Sequence, residues 1–143
     1  MKILFVCYGN ICYLPMAEYI MKHLVKQAGL DWLISSAATT TEELGNDIYP
    51  NAKAELKRHG IPFEYRRARQ IRSDEYWDLI IAMDQENLDD IRSIYPEKKV
   101  KLLMSFTGEE KSVSDPWYTR DFARAYNDIQ RGCEGLLRSF VCK

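Results

Sequence analysis

Short apolar runs alternate along the chain with stretches in which apolar residues recur every three or four positions. Ile3 to Val6 reads as a buried strand, and Trp32-Leu33-Ile34 starts a second that ends at Ser35-Ser36-Ala37. Asp78-Leu79-Ile80-Ile81-Ala82-Met83 gives a third, and Lys99 to Met104 a fourth. Between them lie helical patterns. Pro15 is placed to open the first, where a missing N–H costs nothing, with Met16, Ile20 and Leu24 on one face and Gly29 as its stop. Pro50 opens a second helix running to about His59 and capped by Gly60. Asp84 can N-cap a third, which fades near Tyr95-Pro96. The last starts near Thr119 or Arg120, and Phe122, Ala125, Tyr126, Ile129, Cys133, Leu136, Leu137 and Phe140 form its apolar stripe. A polar loop covers 39–47, a basic irregular stretch with a short extended piece covers 61–72, and a longer loop covers 105–118.

Strands alternating with helices predict an α/β fold: a single-domain, four-stranded parallel sheet with helices on both faces, spanning 1–143. Ligands of such sheets lie beyond the carboxyl ends of the strands. Cys7, Ser36, Asp84 and Asp115 each follow a predicted strand and are expected to face that edge. Periodicity leaves the strand order open.

Composition narrows the function classes. At 143 residues, with 46% apolar and 29% charged positions, the chain suits one globular domain with a core of its own. The net charge of −1 and dispersed Lys and Arg give no nucleic-acid surface, although Arg66-Arg67-Ala68-Arg69 is a local basic cluster. No signal-peptide pattern opens the sequence, and no apolar run approaches the ~18 residues of a membrane span. Cys7, Cys12, Cys133 and Cys142 lack metal-ligand spacing, so neither a metal nor another cofactor is expected. A monomer in a reducing cytoplasm is the simplest setting. His23 and His59 read as surface or helix-end residues.

The candidate chemistry lies where the first strand ends. Cys7 is followed by Tyr8, a Gly9-Asn10 turn, Ile11 and Cys12, and then by the Pro15-led helix. A loop of backbone N–H groups curling into a helix N-terminus gathers donors and positive dipole around one point, which suits an anion. The same field favours thiolate over thiol, so Cys7 is a candidate nucleophile. A lone cysteine after a strand is more often an apolar filler, and here the turn and the proline reverse those odds.

Cys7, Gly9, Asn10, Ile11, Cys12, Pro15, Met16, Ala17 and Glu18 resemble the phosphate-binding loop of the low-molecular-weight protein tyrosine phosphatases. Ser36-Ala37-Ala38-Thr39, Lys57-Arg58-His59-Gly60-Ile61-Pro62, Ala68-Arg69-Gln70, Ala82-Met83-Asp84 and Cys133-Glu134-Gly135-Leu136-Leu137 extend the likeness over essentially the whole chain. Asp115-Pro116-Trp117-Tyr118 resembles the family's Asp-Pro-Tyr-Tyr segment. The resemblance implies thiolate attack by Cys7 on an aryl phosphate, with Asp115 protonating the leaving oxygen and later deprotonating water. It also implies that Trp117 and Tyr118 wall a phenyl ring and that the loop from Tyr8 to Leu14, with Ser36, surrounds the phosphate.

Two adjacent positions depart from the family. Where it has Arg-Ser, this chain has Tyr13-Leu14. The family's arginine grips two phosphate oxygens, and losing one preorganised donor costs on the order of 100- to 1000-fold in rate. Its serine belongs to a hydrogen-bonded network with Asn10, Ser36 and a histidine whose position here reads Arg66. Strongly reduced phosphatase activity is therefore expected. Substitution at the two most consequential positions of an otherwise matching chain suggests re-engineering of the scaffold; natural decay would leave the same mark. A thiolate among backbone donors could instead attack an aryl ester. A catalytically silent binding module, and a redox-responsive protein bridging Cys7 to Cys12, are also compatible with these residues.

Overall fold

The computed structural model describes residues 1–7, 13–39, 45, 47–64, 69–70, 76–95, 99–109, 111–113 and 120–141. Among them four strands, β1 (Lys2–Cys7), β2 (Leu33–Ala38), β3 (Leu79–Ala82) and β4 (Val100–Leu102), form one parallel sheet in the order β2-β1-β3-β4. The helices are α1 (Tyr13–Gln27), α2 (Pro50–Arg58), α3 (Gln85–Arg92) and α4 (Phe122–Val141). The α/β architecture expected from the alternation of patterns is the one observed.

Side-chain alternation along β1 divides the core. Ile3, Phe5 and Cys7 face one layer, packed with α1, α2 and α4, whereas Leu4 and Val6 face the other, packed with α3 and Trp77. Burial on both faces is what makes the strands read as unbroken apolar runs. Register follows the same logic: Ile3 pairs with Ile34, Phe5 with Ser36 and Cys7 with Ala38. On the other side, Phe5 pairs with Ile81 and Val6 with Ala82.

Several boundaries differ from expectation for local reasons. α1 starts at Tyr13, so Pro15 is its third residue rather than its first; a missing N–H is tolerated anywhere in the first turn, whose donors lack intrahelical acceptors. β4 stops at Leu102, and Leu103–Thr107 winds into a 3-10 helix. There the hydroxyls of Ser105 and Thr107 donate to the carbonyls of Leu102 and Met104, each at 2.6 Å, which favours the tight turn. α3 stops at Arg92, short of Tyr95. α4 starts at Phe122 because Arg120 is left-handed, with φ of 59°, and Asp121 Oδ1 accepts the Arg124 N–H at 2.9 Å. The expected cap of α3 is present, Asp84 Oδ1 accepting from Asn87 N–H at 2.8 Å. His59 closes α2, exposed, with its ring stacked 3.7 Å from that of Tyr126 and its Nε2 3.2 Å from Glu55 Oε1.

Candidate functional site

β1 ends at Cys7, the central position on the carboxyl edge of the sheet, with β2 and β3 on either side. The Thr39 N–H donates to the Cys7 carbonyl at 2.8 Å, and the Ala38 N–H to the Arg69 carbonyl at 2.7 Å. An isolated parallel bridge joins Ala38 to Gln70, so the edge beside Cys7 is tied to chain beyond the strands. Cys7 itself is 3% exposed. Its side chain belongs to the core cluster that also holds Phe5, Leu14 and Met16. Six positions after Cys7 the chain enters α1, whose first turn contains Tyr13 and Leu14. The unsatisfied N–H groups and the positive dipole end of a 15-residue helix thus lie one short loop from the cysteine.

Leu14 was expected to line the loop. It is 0% exposed and belongs to the same core cluster as Cys7, Met16 and Ala17, so its side chain packs inward. Ser36 lies within β2 rather than after it, because the strand runs on to Ala38. Its buried hydroxyl donates to Glu18 Oε1. Glu18 is 5% exposed and takes Lys22 Nζ on its other oxygen at 2.6 Å. A carboxylate only accepts hydrogen bonds, so Glu18 claims the Ser36 proton and leaves Ser36 as an acceptor toward any further neighbour. The sequence flags Glu18 only as a motif match. Nothing in a helix pattern distinguishes a buried glutamate at that position from a solvated one. Asp84 is committed to capping α3.

Tyr8, Gly9, Asn10, Ile11, Cys12, Arg66, Asp115, Trp117 and Tyr118 lie outside the described residues, and of Tyr13 only the backbone is described. Among the described residues the Thr39 hydroxyl is buried without a hydrogen-bond partner, two positions past the sheet neighbour of Val6. No group of three or more His, Cys, Asp or Glu side chains among them could hold a metal ion. No helix among them is long and apolar enough to cross a membrane. The second described thiol, Cys133, sits in the core of α4 with Sγ 3.9 Å from the Ala17 carbonyl; burial pushes its pKa well up, with the Glu134 charge adding to the rise.

Comparison with known proteins matches residues 2–143 to the family model described as low molecular weight phosphotyrosine protein phosphatase. The low molecular weight protein-tyrosine-phosphatase PtpA of Staphylococcus aureus is 37% identical over 141 residues, covering 96% of this chain and 92% of its own. The crystal structure of YfkJ from Bacillus subtilis superposes with a TM-score of 0.92 at 36% identity, covering 97% of this chain and 93% of its own. That of a Drosophila arginine phosphatase gives a TM-score of 0.91 at 34% identity, covering 99% and 98%.

Proposed function

Because the chain belongs to the low molecular weight phosphotyrosine protein phosphatase family, we propose that Cys7 is the nucleophile of a phosphatase site whose turnover is strongly reduced by Tyr13 and Leu14. The substrate is an aryl phosphate, free or as phosphotyrosine in a peptide. The Cys7 thiolate attacks phosphorus while Asp115 protonates the departing phenol oxygen. Asp115 then takes a proton from the water that opens the cysteinyl-phosphate, which restores the thiolate and releases phosphate. Backbone N–H groups between Cys7 and the first turn of α1 hold the phosphoryl oxygens.

The observation that carries this reading is the placement of Cys7 at the end of the central strand, one loop before the N-terminus of α1. The site lacks a guanidinium at position 13. Charge-assisted hydrogen bonds to an ionised group are worth roughly 1.5–3 kcal/mol each, and a tyrosine offers one neutral donor in place of a bidentate cation. Binding and turnover of a dianion both suffer, turnover more, because charge redistributes in the transition state.

Hydrolysis of p-nitrophenyl phosphate by the unaltered chain and by Cys7→Ser tests the proposal. Slow turnover, lost to background in Cys7→Ser, is expected. Turnover indifferent to Cys7 would overturn it. Binding of phosphotyrosine without any turnover, unchanged in Cys7→Ser, would identify a binding module instead.

A further inference from the structure

Glu18 is a buried ionisable side chain with no part in the proton transfers assigned to Asp115. It lies in the second turn of α1, 5% exposed, among Leu14, Met16, Ala17, Ile20 and Met21, all 0% exposed. A carboxylate there gives up its water, a loss that methionine, of similar volume, would not suffer. Both its oxygens are engaged instead. Oε1 accepts the hydroxyl of Ser36, itself 1% exposed, and Oε2 accepts Lys22 Nζ at 2.6 Å. The Lys22 side chain is 43% exposed, so the group meets solvent on the lysine side and β2 on the serine side.

Ser36 lies two positions before Ala38, the register partner of Cys7. With strands ~4.8 Å apart and a rise of ~3.3 Å per residue, its Cα is about 8 Å from that of Cys7. Glu18 is five residues beyond Tyr13, about 7.5 Å along the axis from the start of α1. The Glu18–Ser36 hydrogen bond therefore joins helix to sheet near both the cysteine and the positive end of the dipole. The apolar contacts of α1 are non-directional and allow it to slide or roll on the sheet. A hydrogen bond between two buried groups has one good geometry and resists both motions. Because the dipole's influence on a charge falls off within the first turn, a small shift of this end matters.

We propose that Glu18 is a positioning residue for Cys7: through Ser36 it pins α1 to β2, which keeps the helix N-terminus where it stabilises the thiolate. This rests on the nucleophile reading of Cys7 above. Glu18 acts through the helix and not on the reacting atoms. Its charge works the other way, since a nearby anion opposes a thiolate, and Lys22 offsets that charge from the solvent side. The hydrogen bond and the charge are thus separable by substitution.

The pH dependence of Cys7 alkylation by iodoacetamide, followed by mass spectrometry, tests it in the unaltered chain, Glu18→Gln, Glu18→Met and Ser36→Ala. Glu18→Gln and Glu18→Met remove the same charge, and only the first can still accept from Ser36, so their difference reports the tie. The midpoint in Glu18→Met is expected at least about half a pH unit above that in Glu18→Gln, about threefold in the thiolate equilibrium. Its kcat/KM for p-nitrophenyl phosphate should be at least about tenfold lower, since a misplacement of ~1 Å can cost on the order of 100-fold. Ser36→Ala should raise the midpoint too, and add nothing when combined with Glu18→Met. It breaks the same tie by one buried atom and carries the test where Glu18→Met does not fold; an unmoved midpoint there overturns the proposal. Equal midpoints in Glu18→Gln and Glu18→Met, or additive effects of Ser36→Ala and Glu18→Met, overturn the positioning role and leave the nucleophile reading standing. A midpoint in the unaltered chain at the ordinary thiol value of about 8.5, with turnover indifferent to Cys7, overturns the two together.

Discussion

The backbone at Arg120 isolates a cost that side-chain contacts would otherwise hide. Arg120→Ala and Arg120→Gly both remove the guanidinium, so their difference reports φ alone. The glycine variant should be more stable by about 1 kcal/mol, read as the difference in denaturant midpoint, and equal stabilities would mean the left-handed turn carries no strain. Cys7 and Cys133 make a second contrast. Cys133 is buried in the core with its pKa raised by desolvation, so it stays a thiol at neutral pH. Cys7 ends β1 and is 3% exposed; on the proposed reading, the helix N-terminus that follows it in sequence favours its thiolate. With iodoacetamide at pH 7, the native chain should be alkylated at Cys7 well before Cys133; the reverse order would place the reactive thiol elsewhere. The core place of Cys133 was legible in the sequence from its position on an apolar stripe, and that of Cys7 at the end of the first strand from the apolar run before it. The inward packing of Leu14 was not. A leucine in a first helical turn lines a loop or enters a core according to the helix's rotation against the sheet, which no local pattern encodes.

α4 crosses the 3-10 helix Leu103–Thr107 closely at two of its glycines. A Cβ added at Gly135 would lie 2.3 Å from the Phe106 carbonyl oxygen, and one at Gly132 would lie 2.6 Å from Leu103 Cγ. Alanine gains up to about 1 kcal/mol in helix propensity over glycine, but overpacking against fixed backbone costs about 1–3 kcal/mol. Gly135→Ala should therefore destabilise the fold by about 1–2 kcal/mol in urea titration; a neutral or stabilising change would show that α4 can lift away. At the other end of the sheet, Asp78 stitches β1 to β3. Its N–H donates to the Lys2 carbonyl at 2.9 Å, and its Oδ2 accepts the Lys2 N–H at 2.7 Å. That bond, then the Tyr76 hydroxyl, then the N-terminal and Lys99 charges hold its carboxyl below the usual range. A depressed carboxylate stabilises the fold above its unfolded pKa near 4 and loses that contribution as pH falls through the lower folded value. The melting temperature should thus fall more steeply below about pH 4 in the unaltered chain than in Asp78→Asn; parallel curves would refute the linkage. The apolar runs located all four strands, because buried parallel strands carry no polar alternation to confuse them. Their ends were missed where side-chain hydroxyls, as at Ser105 and Thr107, turned the backbone instead.

At the scale of the whole molecule, the fold is that of the family, and the proposed chemistry turns on a substitution inside it. The sheet order β2-β1-β3-β4 puts the cysteine strand in the interior, flanked by pairing on both sides, so the sulfur is held by a rigid scaffold whatever follows it. Alternation of patterns revealed the architecture but not that order, which depends on how crossovers pack. The family was legible through motif residues rather than through periodicity. Tyr13 and Leu14 stood out because everything around them matches. On the proposed reading the two separate by location: position 13 is where the family's cation would hold the phosphate, whereas Leu14 fills core volume. Leu14→Ser would leave a cavity and a buried hydroxyl, a loss of about 2–5 kcal/mol by analogy with Leu→Ala, so the single Tyr13→Arg change is the cleaner probe. The most direct measurement is kcat/KM for p-nitrophenyl phosphate in the unaltered chain, in Tyr13→Arg and in Tyr13→Arg with Leu14→Ser. Restoring the guanidinium should raise it at least about 100-fold, in the double variant provided it remains folded. Equal values in the unaltered chain and a folded arginine variant would contradict the claim that the missing cation is what silences Cys7.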